Sequence, residues 1–530
     1  MFKTAGHIFR LVRAGRVLAR HQALMPRELG EIPPAARVAL AILSLRPRKT
    51  SAAEGTNPLA TALTELGPSY IKLGQFFAIR PDIIGVEWAG KLAELQDRLA
   101  PFDPLAARAE VEARLGAPLE TLFTEFGPPV AAASIAQVHR ARTREADGTA
   151  HEVAVKVLRP GIEERFHADL ESFFFAARLI ERWHPPSRRL RPIDAVTMLA
   201  QSVRLEMDLR LEAAAISEMA DNTRNDPGIR LPAVDWRRTA RRVLTTEWVD
   251  GVSLSYPDKV KAAGFDLETL ADGLIQNFLK HAIRDGFFHA DMHPGNLFID
   301  PEGKLVPVDF GIMGRLGVKE RRFLAEILYG FITRNYARVS DVHFEAGYVP
   351  AHQDPAVFAQ ALRAIGEPLM DKPASEISMG RLLAQLLQVT EQFDMRTQPQ
   401  LLLLQKTMVV VEGVARTLNP QLNMWAAAEP VVRNWIEERL GPQGRIEDAA
   451  EGAQAFARLL GALPEVLGEA QHTAQMLSRM ADRGGIRLDS ETTEALAEAQ
   501  ARHNRSGRIA LWTGALALVV LAALALAGAI

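Results

Sequence analysis

Residues 286–311 read GFFHADMHPGNLFIDPEGKLVPVDFG. Asp291 and Asn296 stand five positions apart, and Asp309-Phe310-Gly311 follows beyond two apolar runs, 297–299 and 305–308. Between those runs lies Pro301-Glu302-Gly303, the turn chemistry that joins two short strands. A hairpin here carries Asp309 back to the neighbourhood of Asn296. Phosphoryl transfer needs a carboxylate to accept the acceptor's proton, and oxygen ligands to hold magnesium on the phosphates. Asp291 suits the first task; Asn296 and Asp309 suit the second. Each alone is ordinary in a turn, and the spacing of the three carries the signal.

A zinc site competes for the same stretch. His289 and His293 are four apart, so on a helix both imidazoles would share a face. Pro294-Gly295 follows at once and Phe287-Phe288 precedes, which favours a loop with hydrogen-bonded histidines. No further His/Cys cluster supplies additional ligands.

The 530 residues hold 48% hydrophobic and 24% charged side chains, ordinary for globular chains of two to four domains. A formal charge of −2 gives no reason to expect nucleic acid. With no cysteine, disulfides, thiolate zinc sites and thiol nucleophiles are excluded.

Charge is unevenly spread. Residues 1–50 carry ten Lys/Arg against two Glu, and Arg10, Arg13, Arg16 and Arg20 recur at helical spacing beside Phe9, Leu11, Val12, Val17 and Leu18. Two readings stand: a basic amphipathic helix on anionic lipid, or a helix packed on its own protein with an arginine-rich outer face. Residues 509–530 form an uncharged 22-residue run, about 33 Å as a helix and enough to span a bilayer core. Arg502, Arg505 and Arg508 precede it, which by the positive-inside rule keeps the main body cytoplasmic.

Between residues 119 and 158 the period becomes that of strands. Val130, Ala131, Ala132, Ala133, Ser134, Ile135, Ala136, Gln137 and Val138 form a tight alanine-rich loop flanked by strands, and Asp147-Gly148 marks a second hairpin. Lys156 lies among alternating apolar residues on the following strand, where a buried ammonium calls for a carboxylate partner and a phosphate. No G-x-G-x-x-G precedes it; alanine N–H groups can still donate, but Cβ atoms crowd the approach to phosphates. Helices are expected over 162–183 and 193–220. On the second, Asp208 and Glu212 share a face and Glu206 can pair with Arg210. Glu212 is the candidate partner for Lys156. Residues 243–249 read as a strand, and 247–251 as the crossing into a mainly helical half. Residues 267–284 form a periodic helix leading to the Asp291 loop.

Together these residues resemble the UbiB family of atypical kinase-like proteins, over roughly residues 60–440. Lys72-x-Gly74-Gln75 looks like the family's KxGQ motif, Glu206-x-Asp208 like its ExD motif, and 130–138 like its alanine-rich nucleotide loop. FFHADMHPGN (287–296) is close to a family hallmark; RLRPIDAV (189–196) and QPQLLLLQKTMVVVEG (398–413) look like its bacterial branch. Outside the resemblance, Lys72 and Gln75 would be solvated helix residues.

The resemblance implies an α+β, bilobal protein-kinase-like fold, mostly helical, with an N-terminal helical extension and a C-terminal transmembrane helix. The organisation expected is a basic segment 1–50, a KxGQ extension 51–115, an N-lobe 116–250, a C-lobe 251–440, a juxtamembrane region 441–508 and a span 509–530. It also implies ATP and Mg2+ as cofactors. Lys156 and Glu212 would hold the phosphates under the 130–138 loop, Asn296 and Asp309 the metal, and Asp291 would be the base. Lys72, Gln75, Glu206 and Asp208 would fold over the pocket and disfavour ordinary protein substrates. The implied role is support of ubiquinone biosynthesis at the bacterial inner membrane. Expected partners are membrane lipids, prenylphenol precursors, the pathway's enzymes and a second copy of the chain. The alternative is a nucleotide-gated lipid-binding scaffold. Two departures from ordinary kinases, Ala290 where an HRD arginine would stand and the absence of A-P-E in the fifty residues after Gly311, argue against activation-loop phosphorylation.

Overall fold

Alternation along 150–158 sends Val153, Val155 and Val157 to one face of a strand and Ala154 and Lys156 to the other. The three valines are buried with Val111, Phe123, Phe126 and Val243, which fixes the register and leaves Lys156 facing the opposite side. In the computed structural model this strand belongs to an antiparallel sheet in the order β1 (Glu125–Ala132), β2 (Ala136–Arg144), β3 (Ala150–Leu158) and β4 (Val243–Glu247). The described residues are 2–21, 57–78, 86–93, 99–144, 147–183, 191–370 and 399–440, with scattered positions between 84 and 95 and between 385 and 395. Residues 441–508 and 509–530, expected as a juxtamembrane region and a membrane span, lie outside them. Among the described residues no helix is long and apolar enough to cross a membrane.

Helices share one core with the cleft side of the sheet, the outer ones resting on other helices. They are α1 (Phe2–Arg20), α2 (Pro58–Leu66), α3 (Pro68–Ala78), α4 (Val86–Ala93), α5 (Pro104–Leu115), α6 (Ile162–Trp183), α7 (Pro192–Glu206) and α8 (Leu209–Thr223), with α5 instead covering the valine face. Asn57 and Asp103 cap α2 and α5 just before a proline at the first helical position, as the unpaired N–H groups there require. Tyr70 and Ile71 of α3, Phe166 and Leu170 of α6, Leu199 and Val203 of α7 and Met219 of α8 share one core with Phe310. The Asp-Phe-Gly phenylalanine is therefore anchored among the helices that carry the KxGQ and ExD residues.

The second half follows β5 (Val252–Ser253). Asp266 caps α9 (Leu267–Leu279), whose last turn widens into a π-helix over Lys280–Asp285 before β6 (Phe287–His289). The expected hairpin is present as β7 (Leu297–Ile299) and β8 (Leu305–Pro307), and β6 pairs with β9 (Met313–Arg315). There follow α10 (Val318–Ile332), α11 (Tyr336–Glu345), α12 (Pro355–Met370), α13 (Pro399–Leu418) and α14 (Met424–Leu440). Leu274, Phe278 and Phe288 meet Leu404, Val411 and Val432 in this half's core.

One helix expectation is corrected. The run 193–220 breaks at Met207-Asp208 into α7 and α8, because the Asp208 carboxylate accepts the Arg210 N–H and caps a new helix. Asp208 and Glu212 thus do not share a helical face. Arg210 pairs with Asp208 at 2.7 Å, and Glu206 turns elsewhere.

Gly286 ends the π-turn at φ +67°, and a Cβ there would stand 2.5 Å from the Leu316 carbonyl oxygen. Gly286→Ala is expected to cost about 2 kcal/mol in urea unfolding, from left-handed strain plus a backbone clash. An unchanged midpoint would show that the turn relaxes without penalty.

Candidate active site

β3, α8 and the Asp-Phe-Gly turn bring three charged side chains to one point. Lys156 Nζ donates to Glu212 Oε1 at 2.8 Å and Oε2 at 3.0 Å, and to Asp309 Oδ1 at 2.7 Å. Burial opposes the Lys156 charge, but Asp309 and Glu212 outweigh it and hold its pKa above the ordinary lysine value. Burial likewise opposes ionised Asp309; Lys156 prevails, with Lys72 adding, so its carboxyl titrates below the usual aspartate range. Glu212 is pushed up by burial, against the pull of Lys156. Asp309 sits at φ +62°, a left-handed conformation uncommon outside glycine, and keeps 45% of its side chain accessible within the cleft.

The catalytic loop is held by its own polar groups. Asp291 N–H donates to His289 Nδ1 at 3.1 Å, so His289 donates from Nε2 to the Val308 carbonyl, also at 3.1 Å. That imidazole ties the peptide of Asp291 to the residue before Asp309. Burial lowers its pKa and keeps it neutral for the role. Asn296 Nδ2 donates to the Asp291 carbonyl at 3.0 Å and to Asp291 Oδ2 at 3.3 Å, and the Val308 N–H returns to the Asn296 carbonyl at 2.8 Å. His293 Nδ1 accepts the Gly295 N–H at 2.9 Å. His289 lies on a strand and His293 in a loop, so the shared helical face of a zinc site does not form.

Magnesium fits the donors. Among the described residues no trio of His, Asp or Glu side chains is grouped to hold a metal unaided. Mg2+ does not need one, since it takes one or two protein oxygens and completes its shell with phosphate and water. Asn296 donates through its amide nitrogen, which leaves its side-chain oxygen available to a ligand, and the Asp309 carboxylate is accessible.

The alanine-rich segment is a clamped hairpin. Ala133 N–H donates to the Ala136 carbonyl at 2.8 Å, and Arg159 grips the Ala133 carbonyl from Nε at 3.1 Å and Nη2 at 2.9 Å. Val138 pairs with Lys156 across β2 and β3, so the hairpin's inner arm borders the lysine. Val130 and Ala131 are exposed, whereas Ser134, Ile135, Ala136 and Gln137 are buried. The Gln137 side chain is engaged with the Phe102 N–H and His139 Nε2, both at 2.9 Å, so it works as scaffold. The Ala133 N–H is likewise engaged and does not join a phosphate cradle.

Lys72 and Glu206 meet at 2.5 Å with side chains only 9% and 11% exposed, close enough for Lys72 to act on Asp309. Gly74 lets α3 approach its neighbours, since a Cβ would stand 2.7 Å from Leu95 Cδ2 and 2.8 Å from Leu63 Cδ1. Gln75 keeps its Oε1 buried one turn further along, while Asp208 caps α8 as described. Lys72→Met is expected to cost about 3 kcal/mol in urea unfolding by stranding the Glu206 charge, and Lys72→Met with Glu206→Leu to recover most of it. A double variant as unstable as the single one would contradict this.

The ABC1 atypical kinase-like domain matches residues 94–343 and the UbiB helical domain residues 362–423. The "Probable protein kinase UbiB" of Marinobacter nauticus is 37% identical over 470 residues, 87% of this chain and 84% of its own. Its namesake in Shewanella loihica is 40% identical over 418 residues, 78% and 76% of the two chains. The chain belongs to the UbiB family of atypical kinase-like proteins. The kinase-like fold expected from the sequence, mostly helical with sheets, follows. Among solved structures, that of Rv3197 with erythromycin from Mycobacterium tuberculosis covers 73% of this chain and 96% of its own, at 24% identity and a TM-score of 0.47, too distant to bear on function.

Sequence reasoning passed over Lys406 of this UbiB-family chain. It lies on α13 inside the stretch 398–413, and its neighbour Thr407 places its hydroxyl 3.2 Å from the Ala290 carbonyl, one peptide before Asp291. A lone Lys in an apolar helix had no spacing signal to mark it.

Proposed function

We propose that the chain binds ATP with magnesium between its two lobes and transfers the γ-phosphoryl group to a small acceptor or to water, in support of ubiquinone biosynthesis. What carries the proposal is the meeting of Lys156 with both Glu212 and Asp309. Lys156 would hold the α- and β-phosphates, positioned by Glu212, and Asn296 and Asp309 would hold Mg2+, which when bound neutralises phosphate charge. Asp291 would orient the acceptor hydroxyl or water and take its proton. Lys72 and Glu206 would cover the mouth, with Gln75 and Asp208 supporting them, which favours a small or lipid acceptor over a protein. Prenylphenol intermediates are the acceptor or effector class, with the ring-modifying enzymes and a second copy of the chain as partners, at an inner membrane reached through 509–530.

The test is ATP hydrolysis by the full chain with and without liposomes carrying a prenylphenol. Magnesium-dependent turnover that rises with the lipid supports the proposal; magnesium-independent or absent turnover overturns it.

The lipid-binding scaffold is kept as a second reading on one observation. α1 buries Ala14, Val17 and Ala19 against its own protein, yet leaves Ile8 and Phe9 (70%) exposed beside exposed Arg13 and Arg16. Apolar and cationic groups together suit an anionic lipid surface. Radiolabel moved from ATP to a defined acceptor would favour the kinase over the scaffold.

A further inference from the structure

The loop that carries Asp291 contains no cation of its own: from Phe287 to Gly303 there is neither Lys nor Arg. A phosphoryl group in transfer spreads negative charge over three equatorial oxygens, and positive groups fixed around it supply much of the rate. Lys156, held by Glu212 and Asp309, is assigned to the α- and β-phosphates, and Lys72 is paired with Glu206. A cation on the acceptor side must come from another element.

α13 supplies one. The helix lies along α9, with Leu404, Val411, Val414 and Ala415 in the C-lobe core. Thr407 Oγ1 shares its proton between the Leu403 carbonyl at 2.8 Å and the Ala290 carbonyl at 3.2 Å, which pins this turn against the start of the Asp291 loop. Lys406, the preceding residue, is half-buried there. Burial disfavours its charged form and lowers its pKa, the Asp291 carboxylate supports the charge and the Lys72 ammonium opposes it; among the described residues no carboxylate forms an ion pair with it. Holding a half-buried ammonium on the turn pinned to the Asp291 loop, with no described carboxylate bonded to it, is costly unless an anion joins it.

We propose that Lys406 is a catalytic cation that contacts the equatorial oxygens of the transferring phosphoryl group beside Asp291. The proposal rests on the nucleotide reading above. In the step, the bond between the γ-phosphorus and the β,γ-bridging oxygen breaks and its electron pair leaves on ADP. The acceptor oxygen forms the new bond to phosphorus, and its proton passes to the Asp291 carboxylate. Lys406 keeps its own proton throughout and acts by charge.

The experiment uses the full chain with Lys406→Met and Lys406→Arg. It measures turnover of ATP with magnesium, affinity for ADP with magnesium, affinity for ADP with magnesium and aluminium fluoride, and thermal melting. Lys406→Met is expected to lower turnover about 10²-fold and to weaken the fluoroaluminate complex by a similar factor, while ADP affinity stays within about threefold. Lys406→Arg should keep at least about a tenth of wild-type turnover, since it preserves the charge. Unimpaired turnover in Lys406→Met, or equal weakening of ADP with and without fluoroaluminate, overturns the proposal. If Lys406→Met melts early, Lys406→Gln takes its place under the same criteria. A wild type without magnesium-dependent turnover would sink the nucleotide reading and this inference together, whereas an active wild type beside an unimpaired Lys406→Met sinks this inference alone.

Discussion

Asp291→Asn is expected to lower ATP turnover by about 10³-fold and to leave nucleotide affinity within about threefold of wild type. The substitution preserves size, and the contacts that shape the loop use the Asp291 backbone: its N–H to His289 and its carbonyl from Asn296. Among the described residues, the carboxylate's hydrogen bond is the one from Asn296 to Oδ2, at 3.3 Å. What disappears is the group proposed to accept the proton. Steady-state kinetics with an independent nucleotide titration separate the two effects. Turnover at the wild-type level would remove Asp291 from the chemistry, and a parallel loss of affinity would make it a binding residue.

Lys156→Met has the second large effect, and it acts on stability as well as activity. The ammonium separates two carboxylates, one of them buried. Without it Glu212 and Asp309 face each other with no cation between them, so one must take a proton or move apart. Turnover is expected to fall about 10²–10³-fold, and unfolding stability by about 3 kcal/mol. Adding Glu212→Leu should restore stability but not turnover. Recovery of both in the double variant would reduce the Lys156–Glu212 pair to a structural element.

Much of this site can be read in the chain because its parts sit on short, regular elements. Alternating valines around Lys156 fix the strand's register, and Pro301-Glu302-Gly303 closes the hairpin that returns Asp309 to Asn296. The loop position of His293 follows from Pro294-Gly295, whereas His289 ends β6 and the loop expected for it is corrected to a strand. Less legible is whatever depends on long-range pairing. Glu206 looks like a partner for Arg210 on a continuous helix; the break at Asp208 redirects it to Lys72, more than a hundred residues upstream. Asp208 before Leu209 is a recognisable capping residue, but an apolar-periodic run on both sides masks it. Gln137 resembles a loop residue until Phe102 and His139 claim its amide. Lys406 is invisible without the packing of α13 on the Asp291 loop.

The central claim is that Lys156 from the small sheet and Asp309 from the larger lobe act on one triphosphate, the latter through magnesium. The most direct measurement is an ATP titration of wild type and Asp309→Asn, each with magnesium and with EDTA. Wild type should bind saturably and lose at least about tenfold in affinity when magnesium is removed, while Asp309→Asn should bind weakly and with no magnesium dependence. An Asp309→Asn protein that binds ATP as tightly as wild type, with the same magnesium dependence, would contradict the account.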